Sequence, residues 1–215
     1  TIFLQEENPE AVRTLIKSFN IKNVGRYGDE ILSRQLKERN VTDKRYVAVA
    51  FSEVDWNGAF YKDKELLQKL MNALAEHGIM LRVIEFNSVD SFVKQSLKLK
   101  KTYGPTALPI IGGHGSENGI QLGNAYEVKN PLLTKEMLSH PTAKRMEDWV
   151  EPGAQIVLFA CSTGAKDGFA QALSNLYEHN VEVVGPDQPT SPKSLKIISV
   201  EPLKLEVEYH VEGSV

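Results

Sequence analysis

Apolar residues recur along this chain with two different periods, and the switch between them marks its elements. In the first forty residues Ala11, Val12, Leu15, Ile16 and Phe19 fall at helical spacing, and Ile31, Leu32 and Leu36 repeat the pattern beyond the turn signal Gly25–Gly28. This predicts a helical extension over residues 1–43, ahead of a main domain over 44–215. There the period changes. Tyr46–Phe51 is a short continuous apolar run, as expected of a strand buried on both faces. After a loop containing Asp55, Trp56 and Gly58, Leu66, Leu67, Leu70, Met71 and Leu74 mark one face of a helix that His77-Gly78 ends.

Ile79–Phe86 is the second expected strand, and Val89, Phe92, Val93 and Leu97 form a helix closed by Gly104-Pro105. Ala107–Ile111 is a third buried strand running into Gly112-Gly113-His114-Gly115, with Ile120-Gln121-Leu122 as half of a small hairpin beside it. Leu133–Leu138 and Met146–Val150 read as helical stretches broken at Pro141. Ile156–Ala160 is a fourth strand that meets Cys161-Ser162-Thr163-Gly164, and Phe169, Ala170, Leu173, Leu176 and Tyr177 make the next helix face. Val181–Val184 reads as a fifth strand, residues 185–193 as a loop, and Leu195–Val200 and Leu203–Val211 as closing strands. Strands alternating with helices at these lengths predict an α/β fold with a mostly parallel sheet covered by helices on both faces.

Composition narrows the function. The 215 residues carry a formal charge of −3 and 41% hydrophobic residues, an ordinary globular balance. Such a charge offers no dense basic surface, so neither nucleic acid nor an anionic membrane is an expected partner. No apolar run approaches the ~20 residues that cross a bilayer. The sequence starts with Thr1 and shows no signal-peptide pattern, so it is expected to be a piece of a larger polypeptide; compartment stays open. One cysteine makes neither an internal disulfide nor a metal cluster, and His77, His140, His179 and His210 are scattered without ligand spacing. No metal and no cofactor is expected.

The chemistry concentrates at two strand ends. In parallel sheets ligands bind beyond the carboxyl ends of the strands. His114 lies just past the third strand and Cys161 just past the fourth. A lone cysteine is more often a small buried hydrophobe than a nucleophile. Two groups placed alike at the same edge of one sheet point instead to a pair: a sulfur nucleophile and an imidazole base that takes its proton and returns it to the leaving amine. A helix opening near Gly164 or Ala165 is expected to turn the positive end of its dipole towards Cys161, with Ser162 and Thr163 as caps. Gly115, lacking a side chain, can present its N–H to an oxyanion together with the N–H of Cys161.

The text Leu108-Pro-Ile-Ile-Gly-Gly-His114-Gly115, followed by Ile156-Val-Leu-Phe-Ala-Cys161, resembles the signature of the cysteine-peptidase superfamily of caspases, legumain, gingipain, clostripain, separase and the self-cleaving domains of large bacterial toxins (clan CD). The Cys-Ser-Thr-Gly ending is also similar to its CHAT branch. The pattern extends over residues 46 to 190, and its specific motifs over a dozen positions. The resemblance implies a caspase-like three-layer sandwich, a Cys161/His114 dyad and endopeptidase activity on a peptide or protein substrate. Phe159 stands where caspases carry a Gln before their Ala-Cys, so their aspartate specificity is not implied. Metacaspase-like members hold a basic residue with acids, one of them after the first strand. Asp55, beside Trp56, and Asp187 are the corresponding candidates here, although each also reads as a solvated turn residue. Lys129, Lys135, Lys144 and Arg145 are candidate sites of self-cleavage.

Competing chemistries lack their residues. Position 167 is Asp where a tyrosine-phosphatase loop needs Arg, papain-like enzymes place Cys before His, and Gly112-Gly113-His114-Gly115 is no nucleotide loop. The rival from another class is a catalytically silent caspase-like domain serving as a binding or regulatory module.

Overall fold

The computed structural model describes residues 45–53, 64–177 and 180–211. The expected helical extension over 1–43, and with it Asp55, Trp56 and His179, lies outside those residues. What is described is an α/β three-layer sandwich. Strands β1 (Tyr46–Ser52), β2 (Met80–Phe86), β3 (Leu108–Gly112), β7 (Gln155–Phe159) and β8 (Glu182–Val184) form one sheet in the order β2-β1-β3-β7-β8. Every pairing in it is parallel. Every residue of β1, β3 and β7 is buried, which explains why their sequences read as continuous apolar runs.

Alternation along each strand sorts the core into two halves. Tyr46, Ala48 and Ala50 of β1, with Ile156 and Leu158 of β7, face one side. Val47, Val49 and Phe51, with Val157 and Phe159, face the other. The first side is covered by α2 (Val89–Tyr103), by the short helices α3 (Lys135–Leu138) and α4 (Pro141–Lys144), and by α5 (Phe169–Leu176). Trp149, fully buried there, meets Phe92 edge-on with ring centroids 5.5 Å apart. Side chains of this kind contribute roughly 1.5–3 kcal/mol each on burial.

The second side is covered differently. Helix α1 (Lys64–Glu76) takes part of it, and the antiparallel hairpin of β9 (Thr190–Val200) and β10 (Leu203–Val211) supplies the rest. Leu203 and Leu205 insert into this core. The buried Gln155 side chain accepts a hydrogen bond from the Leu205 N–H at 2.8 Å. Because β8 ends at Val184 opposite Val157, the Leu158 carbonyl lies beyond that ladder, and the Tyr209 hydroxyl donates to it at 3.1 Å.

Several expectations need correction. Leu133 belongs to a strand, β6 (Leu132–Thr134), which joins β4 (His114–Ser116) and β5 (Gly119–Gln121) in a three-stranded sheet; only Lys135–Leu138 is helical. Met146–Val150 holds a single 3-10 turn, Glu147–Trp149. The expected loop over 185–193 ends earlier, because Thr190, Ser191 and Pro192 already pair with β10. The helix expected near Gly164 starts instead at Phe169, after an irregular turn in which Ser162 (φ 59°) and Asp167 (φ 57°) take left-handed backbone. Thr163 is therefore no helix cap.

Candidate active site

Beyond Gly112 the chain leaves the sheet without leaving its edge. The Gly113 N–H still donates to the Phe159 carbonyl, at 3.3 Å, which holds the start of the turn beside the end of β7. Strand β4 then folds back on β5, pairing His114 with Gln121, Gly115 with Ile120 and Ser116 with Gly119 around the two-residue turn Glu117-Asn118. His114 and Gly115 are both half-buried.

The end of β7 meets this turn directly. A Cβ added to Gly115 would lie 2.5 Å from the Cys161 carbonyl oxygen and 2.7 Å from both the Cys161 nitrogen and the Ala160 carbonyl carbon. Only a residue without a side chain lets the backbone after His114 rest on the Ala160–Cys161 peptide. Adjacent strands thus deliver His114 and Cys161 to one rim, and the backbones of Gly115 and Cys161 into contact.

Cys161 is half-buried, and its thiol donates to the Thr190 carbonyl at 3.5 Å. The turn after it is tied down from several sides. The hydroxyl of fully buried Thr163 donates to the Ala160 carbonyl at 2.7 Å and its backbone carbonyl accepts from the Ala170 N–H at 2.8 Å, joining strand end, cysteine turn and α5. The Ser162 N–H donates to the Gln188 carbonyl at 3.3 Å, and the Gly164 N–H to the Pro186 carbonyl at 2.7 Å. Helix α5 begins at Phe169 on Gly168, with no side-chain cap, so its N-terminus opens beyond Gly168 and not near Gly164 or Ala165 as expected.

The remaining candidates separate. Asp187 is exposed on the segment between β8 and β9 whose carbonyls hold the cysteine turn, which puts it beside the site with its carboxylate in solvent. Asp55 and Trp56 lie outside the described residues. No cluster of His, Cys, Asp and Glu suited to a metal occurs among the described residues. Thr190, together with the carbonyls of Pro186 and Gln188, has no counterpart in the sequence reading. Backbone oxygens carry no residue identity, so no motif could have announced them.

The family described as a domain of unknown function, DUF8616, matches residues 85–192, half of the chain. The chain belongs to this family. The matched segment contains His114, Gly115, Cys161, Asp187 and Thr190, and closes before most of the β9–β10 hairpin. No curated protein matches the sequence. Similar solved structures include a short-chain dehydrogenase/reductase from Serratia marcescens, 12% identical with a TM-score of 0.35, covering 65% of this chain and 72% of that one. Another is a short-chain dehydrogenase from Oenococcus oeni, 14% identical with a TM-score of 0.33, covering 68% of this chain and 82% of its own. Likenesses this low carry no weight for fold or chemistry.

Proposed function

We propose that this domain is a cysteine endopeptidase of the caspase–legumain type, with Cys161 as nucleophile and His114 as its base. The observation supporting this reading is the approach of Gly115 to the Ala160–Cys161 peptide, across the carboxyl ends of two neighbouring parallel strands. In the proposed reaction the imidazole takes the thiol proton and the sulfur attacks the scissile carbonyl carbon. The N–H groups of Gly115 and Cys161 receive the oxyanion. As the C–N bond breaks, His114 returns the proton to the leaving amine, and water then hydrolyses the thioester.

Asp187, exposed beside the cysteine turn, is the candidate for holding a basic side chain before the cleaved bond. Self-cleavage belongs to the same reading. Lys129 is exposed in the irregular segment between β5 and β6, whereas Lys144 and Arg145 are exposed at the end of α4. Lys135 is less available, since its ammonium donates to the Asp167 carbonyl at 3.2 Å.

One observation favours the second reading, a silent caspase-like binding module: the thiol is bonded to the Thr190 carbonyl. A panel of fluorogenic peptides differing only at the residue before the cleaved bond separates the two. Turnover by the wild-type chain and none by a folded Cys161→Ala variant is the expected result. Turnover by neither chain, or equally by both, removes the peptidase reading.

A further inference from the structure

The segment joining β8 to β9 is bonded to the cysteine turn along its length. It starts at Gly185, where a Cβ would come 2.8 Å from the Thr163 hydroxyl oxygen and 3.3 Å from Leu158 Cβ. The same closeness appears from the other side, because a Cβ on Gly164 would collide with the Gly185 carbonyl. Next, Pro186 accepts from the Gly164 N–H and Gln188 from the Ser162 N–H. The segment ends where Thr190 accepts from the Cys161 thiol. Alternate carbonyls of one stretch of chain, those of Pro186, Gln188 and Thr190, thus engage Gly164, Ser162 and Cys161 of the turn that carries the nucleophile.

Two features add cost to this arrangement at rest. Ser162 holds left-handed backbone at φ 59°, which a residue with a side chain adopts sparingly. The bond from its own N–H to the segment helps keep it there. The Thr190 hydroxyl oxygen is buried and has no hydrogen-bond partner among the described residues. A closed state that retains a strained turn and an unsatisfied hydroxyl is a state from which a local opening is accessible.

We propose that residues 185–190 are a strap that holds Cys161 at rest. While the strap is down, the thiol proton is committed to the Thr190 carbonyl instead of the His114 imidazole, and the half-buried sulfur is held against the strap. Lifting the strap breaks the bonds from Gly164, Ser162 and Cys161 together and delivers the sulfur to the rim it shares with His114. This rests on Cys161 being the nucleophile, and it leaves the site active in the fraction of chains whose strap is up, so that turnover is slow but measurable.

The test uses the full chain and needs no substrate. Cys161 is the protein's one cysteine, so whole-protein mass after iodoacetamide reads its alkylation alone. Alkylation rate and amide exchange at Ser162 and Gly164 are followed together through sub-denaturing urea. Both are expected to rise in step, well before global unfolding. Gly185→Ala, which forces the strap away from Thr163, is expected to alkylate at least about tenfold faster without urea. Fast alkylation while the Ser162 and Gly164 amides remain protected overturns the strap. So does a Gly185→Ala chain whose amides open while the thiol rate stays unchanged. If that variant fails to fold, the wild-type series decides alone. Cleavage plays no part in this readout, so failure of the strap and failure of the peptidase reading are told apart by the peptide panel.

Discussion

Gly115 rests on the backbone of Cys161, so close that a methyl group at position 115 would lie 2.5 Å from the Cys161 carbonyl oxygen and 2.7 Å from its nitrogen. The opposing atoms are backbone, held by Thr163 and by the end of β7, and they cannot swing aside as a flexible side chain could. Gly115→Ala is therefore expected to destabilise the domain by about 1–3 kcal/mol, the usual cost of overfilling a packed contact. Denaturant unfolding of the two proteins measures it. An unchanged midpoint would mean that the two loops do not meet as described. In the peptidase reading the same variant also loses about a hundredfold in turnover, because the displaced Gly115 N–H no longer reaches the oxyanion.

Alkaline conditions probe the packing behind the site. Burial pushes the Tyr209 phenol well above its ordinary range, and it does the same to Tyr177, with the Glu147 carboxylate adding to the effect. Both hydroxyls donate to backbone carbonyls, Tyr177 to Met146 and Tyr209 to Leu158. A group whose ionisation is raised in the fold lends stability that is complete below its unfolded value and lost as pH climbs past it. Stability is thus expected to fall from about pH 10 upwards. An ultraviolet titration of the folded chain should be unchanged by Tyr177→Phe and by Tyr209→Phe, because both phenols stay silent until it unfolds. Loss of a titrating phenol with either variant would contradict the packing of the hairpin and of α5.

Much of this architecture was legible because burial writes itself into parallel strands. Tyr46–Phe51 and Ile156–Phe159 are covered on both faces, so their sequences are apolar throughout and could only be central strands. That His114 and Cys161 stand past strand ends was legible in the same way, whereas the adjacency of β3 and β7 is set by a pairing the sequence does not spell out. The errors lie where residues outside the element decide it. Leu132–Thr134 is a strand because β5 lies beside it, not because three residues show a period. Thr190, Ser191 and Pro192 are strand because β10 pairs with them. The stretch Ser162–Gly168 is rich in small polar residues and glycine, the composition of a helix start. Left-handed backbone at Ser162 and Asp167, with the carbonyls of the neighbouring segment, makes it a turn instead.

Catalysis in the proposed reading depends on one pairing, that of the Cys161 sulfur with the His114 imidazole. It is tested most directly by an extended peptide ending in an acyloxymethyl ketone, followed by intact mass on the wild-type chain and on a folded His114→Ala variant. One adduct per chain, located on Cys161 and formed at least about a hundredfold faster when His114 is present, is the expected result. Labelling of Cys161 at the same rate in both proteins would contradict it.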